Sequence, residues 1–177
     1  MPRTMSVSDS IVIRARPSVV YAQLSDPTSM GRWSPENHGA TVRGERRDGG
    51  AYVGMVFEGR NKRGGFRWTT KCTVIAADPG ERFAFRVHAI GWRRPRLPGA
   101  IATWEYRFEP VDGGTLVTET WMDDRRSWPD RLADAFDRAA TRGHTFADFQ
   151  RGNIRTTLAR LKQVLETPWA GDDVLKG

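Results

Sequence analysis

Glu119 carries the sharpest chemical potential in this 177-residue chain. It lies in the run from Gly114 to Met122 (GTLVTETWM), whose alternation has two possible registers. One turns Val117, Glu119 and Trp121 to the covered face of a strand. The other turns Leu116, Thr118, Thr120 and Met122 there and leaves Glu119 in solvent. An inward carboxylate is costly unless it is paired or neutralised, and a neutralised one can hold or release a proton near neutral pH. The other candidates are weaker. His88 alternates with Phe85 and Val87 and so faces outward, while His38 and His144 fall in loop and helix-start positions at the surface. No histidine pair or histidine–carboxylate pair has a spacing such as HExxH, so no metal site is expected. Cys72 sits mid-strand among Trp68 and Val74 as packing, and no GxSxG is present, so a nucleophile is not expected either. The glycine cluster GRNKRGG (59–65) reads as a hairpin and not as a phosphate loop, because no strand, glycine loop and helix follow one another there.

Two further groups can hold a ligand or do nothing more than fold the chain. In Trp33-Ser34-Pro35-Glu36, Trp33 can stack on a ring and Glu36 can bond a polar head, or the segment simply ends a helix on an aromatic anchor. Asn61 and Asn153 can orient a ligand or bind backbone.

The elements that must position these residues follow from periodicity. Residues 7–14 read as a strand. Pro17 with Val19, Val20 and Leu24 starts a short helix over 17–24, and Asp26-Pro27 caps a second one that runs to about Trp33. From Gly39 to Met122 the helical period vanishes, and strands are expected at 40–47, 51–60, 65–77, 81–90, 101–109 and 114–122. Turn signals divide them at Asp48–Gly50, Asn61–Gly65, Asp78–Gly80, Arg93–Gly99 and Asp112–Gly114. Period two gathers Met55 and Phe57; Phe66, Trp68 and Cys72; Phe83, Phe85 and Val87; and Trp104, Tyr106 and Phe108 on one face, with Arg67, Lys71, Arg86 and Arg107 opposite. An aromatic face of this kind needs a cover. The helical residues from Pro129 to about Glu166 supply it through two stripes, Leu132, Ala135, Phe136 and Ala139, then Phe146, Phe149, Ile154, Leu158, Leu161 and Leu165, with a break at Gly143. Gly152 and Asn153 interrupt the second stripe, which thins the packing and leaves room for a cavity.

Composition sets the outer limits. The length suits one domain, 1–166, with 167–177 as a flexible tail, and 38% hydrophobic residues can bury a core. A single cysteine excludes a disulfide framework. No apolar run reaches the roughly 18–20 residues of a membrane span and no signal-peptide stretch opens the chain, so a cytoplasmic protein is expected. The net charge is +7, with 24 arginines spread along the sequence, which favours anionic partners. No zinc-finger spacing, RNP-like strand or helix-turn-helix accompanies that charge, and nucleic acid is not an expected partner. The loop Gly91–Gly99 concentrates Arg93, Arg94 and Arg96 beside Trp92 and Leu97, so it can dock on an acidic carrier protein or an anionic membrane, or be only a solvated turn.

A strand, two short helices, a six-stranded antiparallel meander and a long last helix make the helix-grip order, an α+β fold in which a curved six- or seven-stranded sheet wraps the C-terminal helix. With the segments IVIRARPSVVYAQLSDPTSMGRWSPE, FEGRNKRGGFRWTTKCTVIAADPGERFAFRV and WEYRFEPVDGGTLVTETW, the chain resembles the SRPBCC (START-like) superfamily, in particular its bacterial polyketide cyclase/dehydrase-like branch, over residues 6–166. The resemblance implies a cavity between sheet and helix for a polyketide, lipid or aromatic metabolite, and no cofactor. Trp33, Glu36, Phe57, Trp68, Phe85, Trp104, Tyr106, Trp121, Phe149 and Asn153 are the expected ligand-binding residues, and Glu119 the expected acid, base or anchor. It leaves open a binding or transport module, a cyclase/dehydrase-type enzyme, and an interaction protein that uses its basic surface.

Overall fold

The alternating middle of the chain forms one seven-stranded antiparallel sheet: β1 Ser6–Ile13, β2 Asn37–Arg43, β3 Val56–Arg63, β4 Phe66–Asp78, β5 Arg82–Gly91, β6 Leu97–Val111 and β7 Gly114–Asp123. The computed structural model describes residues 3–45, 47–48 and 50–167. The strand order is β1-β7-β6-β5-β4-β3-β2, so the meander expected from the turns is closed by β1 pairing with β7. Pro17 opens helix α1 (Pro17–Leu24), and Asp26 caps a short 3-10 helix over Pro27–Arg32 by accepting from the Thr28 amide. Helices α2 (Asp130–Thr141) and α3 (Phe146–Glu166) follow the sheet, separated where Arg142 and Gly143 take positive φ. This is the helix-grip α+β fold. No helix among the described residues is long and apolar enough to cross a membrane.

The core lies between the concave face of the sheet and α3. Ile13, Val74, Phe83, Val117, Ile154 and Leu161 are fully buried there. Each contributes about 1.5–3 kcal/mol of apolar burial. Helix α3 packs chiefly along β1 and to a lesser extent β7, so the inner faces of β3 to β5 are reached by side chains rather than by close helix backbone.

Several expectations need correction. Residues 51–55 are not strand, because Gly54 at φ 91° and the bond from the Met55 amide to the Tyr52 carbonyl turn the chain there. The loop after β5 is shorter than Gly91–Gly99, since β6 already pairs at Leu97 with Ile90. A Cβ on Gly91 would overlap the Arg94 carbonyl, so this tight return needs glycine. Phe66 is 67% exposed: it pairs with Arg63 at the hairpin tip, beyond the region that α3 covers. The stripe Leu132, Ala135, Phe136 and Ala139 faces outward, and α2 instead buries Ala133, Asp137 and Thr141. Asp137 decides that orientation by bonding Arg125 and the Phe146 amide. Gly152 is exposed and does not interrupt the buried stripe of α3. Residues 168–177 of the expected tail, and Gly49 of one expected turn, lie outside the described residues.

Candidate functional site

The tight turn at Asp112-Gly113 pairs Val111 with Gly114 and thereby sets Tyr106 opposite Glu119. The inward register of β7 is the one with Val117, Glu119 and Trp121, at 0%, 2% and 2% exposure. The Tyr106 hydroxyl donates to Glu119 Oε1 at 2.9 Å, whereas Oε2 is buried with no partner among the described residues. Burial pushes the Glu119 carboxyl up to about 8, against the opposing effect of the Tyr106 bond. Tyr106 is held well above its ordinary range by burial first and by the adjacent Glu119 second. On the other side Asp9 of β1 is the register partner of Glu119, and its Oδ2 pairs with Arg155 of α3 at 3.1 Å. At neutral pH the centre of the inner face therefore carries a largely protonated carboxyl with one unused oxygen.

Aromatic side chains share that face across the sheet. Phe83 stacks beside Tyr106 at 6.4 Å, and Phe57 meets Phe85 edge-on at 5.2 Å. Trp33 and Trp121 are buried, and Trp104 is half-buried against the same core. Nothing among the described residues pairs His88 with Glu119. It lies on the outer face, where its Nε2 meets Thr73 Oγ1 at 2.8 Å, and burial and Lys71 lower its pKa. Cys72 is buried and its thiol is pushed up to about 12 by desolvation, so it stays protonated and inert.

The remaining expected residues meet at the end of the sheet where α3 begins. Glu36 Oε1 accepts from Arg63 Nε at 2.5 Å and Glu36 Oε2 from Asn153 at 3.0 Å, while Asn153 also donates to Gln150. The Arg63 guanidinium lies 3.9 Å over the Phe149 ring and 5.3 Å from Trp68, and it donates to the Ala140 carbonyl. One arginine thus joins β3, the α2 C-terminus, α3 and the turn after the 3-10 helix, and it brings together Glu36, Trp68, Phe149 and Asn153. Sequence reasoning missed Arg63 because it reads as one more charge in a hairpin. Asn61 faces inward but is used by Asn37, the Gly59 carbonyl and Thr70. Arg93, Arg94 and Arg96 are all exposed.

A curved antiparallel sheet packed over a long helix, with aromatic side chains and one buried carboxyl on its inner face, defines a helix-grip protein of the START-like class. The chain matches the family described as polyketide cyclase/dehydrase and lipid transport over residues 4–166, and it belongs to that family within the SRPBCC superfamily. Among solved structures it is similar to the Polyketide_cyc-like protein Cgl2372 from Corynebacterium glutamicum, at 28% identity over 94% of both chains and a TM-score of 0.56. A START superfamily protein from Mycobacterium smegmatis shares the fold at 11% identity and a TM-score of 0.65, covering 92% of this chain and 98% of that one. The di-domain ARO/CYC StfQ from the steffimycin biosynthetic pathway does so at 14% identity and a TM-score of 0.65, with 92% of this chain and 50% of the larger one aligned. No curated protein sequence matches the chain.

Proposed function

We propose that the protein binds one small hydrophobic or aromatic molecule, of the polyketide or lipid kind, between the sheet and α3. The observation that carries this reading is Glu119, a fully buried carboxyl whose Oε2 has no partner among the described residues. An orphaned polar atom in an apolar interior costs about 1–3 kcal/mol, and a carbonyl or hydroxyl of a bound ligand removes that cost. Trp33, Phe57, Phe85, Trp104, Tyr106 and Trp121 supply the apolar surroundings, and the Glu36, Arg63 and Asn153 cluster with Trp68 and Phe149 forms the rim through which such a ligand passes. The exposed Arg93, Arg94 and Arg96 suit this end of the molecule to an acidic carrier protein or an anionic membrane from which the ligand is received. One feature favours a second reading, a cyclase/dehydrase-type enzyme. A carboxyl that titrates near 8 holds a proton at neutral pH and can pass it to a substrate, so Glu119 would act as the single acid/base group.

Native mass spectrometry of freshly purified protein tests binding. A species heavier than the 20.0 kDa chain by one small organic molecule is expected. A bare chain mass, both as purified and after incubation with the uncharged dye N-phenyl-1-naphthylamine, would contradict the reading.

A further inference from the structure

Beyond the interior, a cleft of about 480 Å³ opens where the β3–β4 hairpin meets the β5–β6 loop. Its walls include Arg60, Lys62, Arg67 and Arg93 together with Trp68 and Trp92, and no carboxylate lines it. Among the described residues none of these four cations is in an ion pair. By contrast, Arg43, Arg63, Arg82 and Arg107 on the same sheet each meet a glutamate. Gathering unneutralised like charges at one concave place raises their mutual repulsion, which an anion in the cleft relieves. The aromatic walls narrow the choice of anion. Trp92 is 79% exposed on its loop, the most exposed large apolar side chain among the described residues, and Trp68 stacks with Phe66 at 5.7 Å and 23°. The open indole face of Trp92 beside cations suits a flat apolar group that carries a negative charge. The volume is that of a small-molecule site rather than of an extended strand groove.

We propose that this cleft holds the anionic end, a carboxylate, sulfonate or phosphate, of an amphiphilic ligand whose flat part lies on Trp92. Trp68 and Asn61, register partners on the inner face of the sheet, also line this cleft, while Arg60, Lys62 and Arg67 come to it from the outer face, so the cleft lies at the sheet edge where a bound ligand's apolar body can follow Trp68 inward. Only that last placement rests on the function proposed above.

Two dyes of the same ring system separate the two ideas: 1-anilinonaphthalene-8-sulfonate, which is anionic, and N-phenyl-1-naphthylamine, which is not. The anionic dye is expected to bind the wild type about tenfold more tightly at low salt, with the advantage shrinking as added salt screens the cleft. The triple variant Arg60→Gln, Arg67→Gln, Arg93→Gln should lose about tenfold in affinity for the anionic dye and stay within about twofold for the neutral one, because three exposed charge contacts are removed. Trp92→Ala should also weaken the anionic dye. A control triple at exposed sites elsewhere, Arg16→Gln, Arg126→Gln, Arg131→Gln, carries the same loss of net charge and should bind both dyes as the wild type does; circular dichroism checks that each variant is folded. Unchanged anionic-dye affinity in the cleft triple, or an equal loss in both triples, overturns the proposal. So does loss of binding to phosphatidylglycerol vesicles with dye affinity intact, which would assign the cations to a lipid surface. If the neutral dye fails to bind the wild type, the interior reading falls, while the comparison of the two triples still decides this one.

Discussion

Arg125→Ala is expected to lower the stability of the fold by about 3–5 kcal/mol and its thermal midpoint by about 6–20 °C, read by thermal and chemical denaturation. Arg125 is 4% exposed, between Asp123 at 1% and Asp137 at 2%. Its Nε and Nη2 donate to the two oxygens of Asp123 at 2.9 and 2.8 Å, and its Nη1 donates to Asp137 at 2.8 Å. The guanidinium also lies 4.7 Å from the Phe146 ring and 5.4 Å from Trp128. Burial works against the charged guanidinium, but the bonds and charges of Asp123 and Asp137 outweigh it and hold its pKa above the ordinary value. Removing the cation leaves Asp137 with only the Phe146 amide, and Asp123 with the residue-125 amide and the more distant Arg3 at 3.7 Å, which is costlier than never having buried the cluster. Replacing Arg125 and Asp137 together, Arg125→Met with Asp137→Asn, keeps Asp123 for the buried Arg3 side chain and should therefore recover part of the loss. An Arg125→Ala protein within about 1 kcal/mol of wild type would show that the cluster does not hold α2 to the end of β7.

The second large effect is a stability that falls as pH rises, and it comes from Glu119. In the folded protein its carboxyl keeps a proton up to about pH 8, whereas the unfolded chain releases it near 4.5. Between those values the folded state binds more protons, so this group's contribution is complete below about 4.5 and is lost as pH rises through about 8. The slope is at most about 1.4 kcal/mol per pH unit, which gives a loss of about 2–3 kcal/mol between pH 5.5 and 7.5. Glu119→Gln keeps the acceptor for the Tyr106 hydroxyl and cannot ionise. Its stability should match wild type near pH 5 and exceed it above pH 7. His88, whose lowered pKa acts in the opposite sense below 6.5, cancels in the difference between the two proteins. Parallel pH curves would mean that Glu119 is solvated or paired in solution.

How far these features could be read from the sequence depends on how local their causes are. The sheet was legible because alternation and turn residues act over a few positions, and the Asp112-Gly113 turn alone sets Glu119 beside Tyr106. The orientation of α2 was not, because its apolar stripe points one way while Asp137 is drawn the other way by Arg125, twelve residues earlier. Helical periodicity weighs apolar positions and is blind to a buried ion pair. The rim cluster was legible in its parts, Glu36, Trp68, Phe149 and Asn153, but not in the residue that joins them. Arg63 reaches Glu36 and Ala140 across separations of 27 and 77 residues, which no spacing rule spans. The unpaired cations of the cleft were hidden for a related reason: in a chain with 24 arginines, only the structure separates those that meet a carboxylate from those that do not.

A ligand held between sheet and α3 would lie against the face that carries Glu119. Nuclear magnetic resonance of isotope-labelled protein titrated with N-phenyl-1-naphthylamine addresses that placement directly. Saturable one-to-one changes are expected at the indole N–H groups of Trp33, Trp104 and Trp121 and at the amides of Glu119 and Ile154, with smaller changes in Glu119→Gln. Changes confined to the exposed Leu132 and Phe136 of α2, or no saturable change at all, would contradict the account.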